Sequence, residues 1–71
     1  MKVYFDKENE TIINVKEITS VHPTINNCIE IQFKNGEPVD LYYRKSKDLE
    51  NAIEQLHALM LAVENDSKGE K

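Results

Sequence analysis

The stretch Cys28–Tyr43, CIEIQFKNGEPVDLYY, alternates apolar and polar residues on both sides of an Asn-Gly pair. A period of two is what a strand with one buried face requires, so the stretch reads as a β-hairpin. Its register decides the fold. A two-residue Asn35-Gly36 turn is the usual choice for this dipeptide. It would pair Phe33 with Pro38 and set Ile31 against Asp40. Opposed residues share a face, so both faces would then mix apolar and polar groups.

A three-residue loop, Lys34-Asn35-Gly36 with Gly36 left-handed, restores agreement. Ile31 then meets Val39 and Ile29 meets Leu41, although Glu30 also meets Asp40. A loop shifted to Asn35–Glu37 avoids that like-charge pair but places the glycine less well. Either odd-length loop puts Ile29, Ile31, Phe33, Val39, Leu41 and Tyr43 on an inner face. Cys28, Glu30, Gln32, Asp40, Tyr42 and Arg44 then form the outer face.

Downstream, Leu49, Ala52, Ile53, Leu56, Leu59, Met60 and Val63 fall in one stripe at 100° per residue. This predicts an amphipathic helix ending near Glu64, with Ser46 as N-cap and Asp48 and Glu50 near the positive end of its dipole. Upstream, strands are expected at Lys2–Phe5, Thr11–Asn14 and Ile18–His22, joining those at Cys28–Lys34 and Glu37–Arg44. Val15, Ile18 and Val21 are spaced by three, which breaks strict alternation. A bulge or short turn near Val15–Glu17 would let all three face inward. His22-Pro23 reads as the start of a loop, HPTINN.

The fold class predicted is α+β: a two-layer antiparallel β-meander of four to five strands packed on one C-terminal α-helix. Residues 1–64 are expected to form a single domain, and 65–71, NDSKGEK, a disordered polar tail.

Seventy-one residues make a small domain, which buries only about 60% of its unfolded surface. Folds of this size draw on disulfides, metals, close packing or self-association. The single cysteine, Cys28, excludes an intramolecular disulfide, and Cys28, His22 and His57 lack any metal-ligand spacing. No cofactor or metal is expected. A self-associating chain is the natural remedy. Leu61, about 120° from Leu49, together with Ala58 and Ala62, offers a second, shallow apolar helix face for a partner chain.

No apolar run is long enough to span a bilayer and no signal-peptide pattern opens the chain, so a soluble, cytoplasmic protein is expected. The abundance of Asn, Ile and Lys is what AT-rich coding produces and suggests a low-GC bacterium or its phage. The patterning resembles the small meander-plus-helix proteins of those sources, a likeness that carries over no site.

Chemistry is sparse. A nucleophilic Cys28 needs an orienting base, and neither His22 nor His57 stands at a spacing that supplies one. Glu30 and Asp40 share a solvated face, a poor place for acid–base work. With only Gly36 and Gly69, no loop cradles phosphate. The chain is therefore expected to be a non-enzymatic interaction module, homo-oligomeric and binding another protein.

The alternative is weak binding of single-stranded nucleic acid by the outer sheet face. It rests on Tyr42, Arg44 and Lys45, with Lys47 and an outward Tyr4, since such binders join stacking aromatics to positive charge. A formal net charge of −4, with nine basic and thirteen acidic residues, argues against it.

Overall fold

The computed structural model describes residues 3–69. Five strands precede one helix: β1 Val3–Asp6, β2 Thr11–Asn14, β3 Ile18–Thr24, β4 Cys28–Phe33, β5 Val39–Tyr42 and α1 Ser46–Gly69. The class is α+β, as the patterning requires. The meander, however, is divided into a β1–β2 hairpin and a three-stranded sheet of order β3-β4-β5.

The division has a local cause. After β2 the chain makes a 3₁₀ turn over Val15–Glu17, where Asn14 Oδ1 accepts from the Lys16 N–H at 3.1 Å. Asn14 thereby caps the turn and ends β2, because its side chain takes the place of a ladder partner. A bulge follows at Thr19, where the pairing shifts from Ile18 opposite Phe33 to Ser20 opposite Gln32. Turn and bulge together bring Val15 and Ile18 into the core and set Val21 against it. The spacing by three is thus explained.

The β4–β5 register places Ile29 opposite Leu41, Ile31 opposite Val39 and Glu30 opposite Asp40. Gly36 has φ +101°, the left-handed value the three-residue loop demands. Ile29, Ile31, Leu41 and Leu56 are fully buried. Ala52 and Leu56 bring the helix onto this layer, and Leu49, Ile53, Leu59, Met60 and Val63 pack around them.

Several expectations at element ends are corrected, among them β5, which spans Val39–Tyr42 rather than Glu37–Arg44. β3 runs through Pro23 to Thr24, so the loop is only Ile25-Asn26-Asn27, with Asn26 and Asn27 at φ +61° and +54°. Pro23 is tolerated because β3 pairs on one side only, and a missing N–H on an edge breaks no ladder bond. At the helix start, the Lys45 carbonyl accepts from the Asp48 and Leu49 N–H groups, so Lys45 rather than Ser46 takes the capping position. The helix also continues past Glu64 to Gly69. Each added residue gains a hydrogen bond, and no breaker precedes that glycine. Of the expected tail, residues 70–71 lie outside the described residues.

Candidate functional site

The β1–β2 hairpin presents its two faces in an unexpected sense. Hydrophobicity alone favours burying Val3 and Phe5, yet Tyr4 and Asp6 point inward and Val3 and Phe5 outward. Tyr4, expected on the outer face, is buried. The reason is a hydrogen-bond cluster around Asp6, which is only 2% exposed.

Both Asp6 oxygens are fully committed. Oδ1 accepts from the Asn9 backbone N–H at 2.9 Å and from Asn9 Nδ2 at 3.1 Å. Oδ2 accepts from the Tyr4 hydroxyl at 3.2 Å and from the Tyr43 hydroxyl. An ionised carboxylate offers about four lone-pair sites, and all are used. Burial pushes the Asp6 carboxyl up, but the donors of Tyr43, Asn9 and Tyr4 together outweigh it and hold its pKa below the ordinary value. Tyr43 is pushed far up, by burial first and then by its bond to Asp6. Burial likewise raises Tyr4. A carboxylate with a lowered pKa and no spare lone pair is a poor base and a poor metal ligand. Its chemistry is that of an anchor.

The anchor joins the two sheets. Asn9, held by Asp6, bridges the end of β5 in both directions: Tyr42 N–H donates to Asn9 Oδ1 and Asn9 Nδ2 donates to the Tyr42 carbonyl, each at 3.0 Å. Beside it, the Arg44 N–H donates to Glu8 Oε2 at 2.8 Å. Side chains of the β1–β2 loop thus continue the ladder past Tyr42 and cover the strand's end, one recognised way of protecting a sheet edge.

With Tyr4 and Asp6 turned in, the opposite face of the hairpin is left apolar. Phe5 pairs with Ile12 across the ladder, and they are 57% and 69% exposed. Val3, half exposed, pairs with Asn14 on the same face. The strand residues on this face, Val3, Phe5, Ile12 and Asn14, are uncharged. Both hairpin strands pair on one side only. Sequence reasoning passed over this surface. Its signal was the pair of apolar residues of opposite parity in Ile12-Ile13, which cannot both be buried in a strand.

The expected contact residues lie on two other surfaces. Tyr42, Arg44 and Lys45 are exposed and line a groove of about 510 Å³ together with Glu8, Tyr43 and Asp48. Two acids thus share it with two bases. Asp40 stands beside Tyr42 and is the main cause pushing its hydroxyl upward, followed by Cys28. On the helix, Leu61 is 47% exposed, Ala58 exposed and Ala62 half-buried.

Cys28 is buried at the start of β4, opposed in the ladder by Thr24 and Tyr42, while His22 is opposed by Glu30. His57 is exposed on α1. Neither histidine is directly opposite the thiol. Among the described residues no group of three or more His, Cys, Asp or Glu side chains could hold a metal ion, and no helix is long and apolar enough to cross a membrane.

No family model matches this chain, no curated protein matches it, and no solved structure matches it.

Proposed function

We propose that this protein is a non-enzymatic interaction module that assembles with a second copy of itself through the outer face of the β1–β2 hairpin. One observation carries the reading: Phe5 and Ile12 form an exposed cross-strand apolar pair, flanked by Val3, on a strand face whose residues are uncharged. Two copies of net charge −4 repel over most of their surface, and an uncharged apolar face is where they meet at least cost. A strongly charged partner gains nothing there. The edges support the same choice. The three-stranded sheet is blunted by Pro23 and the Thr19 bulge on β3 and by the Asn9 bridge at β5. Each hairpin strand pairs on one side only and holds neither a proline nor a bulge, which leaves its other side for pairing. The cytoplasm is the compartment in which the free thiol of Cys28 stays reduced.

Analytical ultracentrifugation of the full chain at micromolar concentration tests this. The expected result is a dimer or larger species that Phe5→Ser with Ile12→Ser converts to monomer without loss of folded signal. A monomeric wild type overturns the proposal. A dimer broken by Leu61→Asp but not by the hairpin variant overturns it too, assigning the contact to the helix face of Ala58, Leu61 and Ala62.

Nucleic-acid binding is the weaker reading. Burial of Tyr4 leaves Tyr42 as the exposed tyrosine of this region, and Glu8 and Asp48 oppose phosphate beside Arg44 and Lys45.

A further inference from the structure

A separate groove of about 340 Å³ lies between the C-terminal half of α1 and the Val15–Glu17 turn. Its apolar lining is Val15, Ile18, Met60, Leu61 and Val63. Lys16 and Lys34 stand on one side, His57 and Glu64 on the helix side. We propose that this groove binds a small amphipathic carboxylate, a medium-chain acyl acid, with the chain on the apolar lining and the head group at the two lysines.

Charge complementarity selects the head group. The chain as a whole is negative, yet among the described lining residues two ammonium groups meet one carboxylate, Glu64, which is itself engaged. Among the described residues, neither lysine side chain takes part in a hydrogen bond or ion pair. An anion therefore displaces no existing partner. A cation would face two like charges.

The lining selects an acyl chain over a peptide. Among the described residues no amide or hydroxyl side chain lines the groove, so a bound peptide backbone would find no side-chain partner of that kind there for its N–H and C=O groups. An acyl chain has no such groups to satisfy. Met60 adds a flexible, polarisable wall that adapts to chains of different length. The volume sits at the low end of the range for small-molecule pockets, about 300–1,000 Å³. A medium chain fits that limit better than a long one.

The test is an amide-resolved NMR titration of the full wild-type chain with octanoate, 1-octanol and octylammonium, run separately. Octanoate is expected to give saturable shifts centred on Val15, Ile18, Lys34, Met60, Leu61 and Val63. Its affinity should exceed that of octylammonium by about tenfold, as two partly exposed charge contacts supply. Lys16→Glu with Lys34→Glu should reverse the preference. Three results overturn the proposal: no saturable shift with octanoate, equal affinity for octylammonium, or shifts centred on Phe5 and Ile12. The wild-type comparison decides by itself if the double variant fails to fold. Self-association through the hairpin is neither required nor tested by it.

Discussion

Asp6 and Tyr43 lie 37 positions apart in the chain and share a buried hydrogen bond that ties the β1–β2 hairpin to the residue following β5. Tyr43 N–H also donates to the Asn27 carbonyl at 2.9 Å, so the same residue is fixed to the β3–β4 loop. The two sheets are held together by polar groups carried on Tyr4 and Tyr43, both members of the buried core.

Loss of this junction should be costly. Asp6→Ala leaves the Tyr4 and Tyr43 donors buried, and the Asn9 donors half-buried, without their acceptor, and should destabilise by about 3 kcal/mol. Tyr43→Phe removes one donor to a charged group and should lose about 1.5–3 kcal/mol. Urea unfolding midpoints measure both. A loss below about 0.5 kcal/mol for Asp6→Ala would show that the cluster does not anchor the sheets.

The cluster also sets the pH range of stability. Asp6 has a lowered pKa in the folded state, so its contribution is complete above the unfolded carboxyl value of about 4 and drains away as pH falls below it. Tyr4 and Tyr43 are raised, so theirs is complete below the unfolded phenol value of about 10 and is lost as pH rises beyond it. Stability measured across pH should form a plateau with falls at both ends. Tyr43→Phe should make the alkaline fall shallower, and an unchanged alkaline limb would contradict the assignment.

Asn9→Ala should loosen the end of β5. It removes two bonds to the Tyr42 backbone and one side-chain bond to Asp6, all partly exposed to water, at about 1–2 kcal/mol in total. Amide hydrogen exchange should quicken at Tyr42 and leave Ile31 protected. Uniform acceleration across the sheet would mean that global stability, not a local bridge, had changed.

Gly36→Ala separates backbone strain from crowding. A Cβ at Gly36 would have no atom within 4 Å, so only the left-handed φ opposes it. The loss should be about 1–2 kcal/mol, and Gly36→Asn should recover part of it. If alanine were neutral by thermal unfolding, the three-residue loop would have another conformation available.

The core face of β4 and β5 was legible because two strands joined by a short loop must agree in parity. Ile29, Ile31 and Leu41 therefore specified one another. The stripe from Leu49 to Val63 was legible for the same reason, a period matched to one element. For β1 the periodicity divided Val3 and Phe5 from Tyr4 and Asp6 but left open which pair was buried. Apolar character favoured the wrong pair, since it weighs each residue alone. The Asp6-x-x-Asn9 spacing did hold one local clue, as Asp side chains close turns of this kind, and Asp6 Oδ1 does accept from the Asn9 N–H.

The sequence by itself determined the element order, the odd loop at Gly36, the bent path through Val15–Glu17 and the inward stripe of the helix. Each depends on groups a few residues apart, whose relative directions the backbone dictates. Tertiary structure alone decided that Asp6 is inside and Phe5 outside, that Pro23 belongs to a strand and that the meander divides in two. Those outcomes depend on partners from distant positions, Tyr43 for Asp6 and the unpaired edge for Pro23. A buried carboxylate is tolerable only when donors from elsewhere in the chain converge on it, and no local pattern records that convergence.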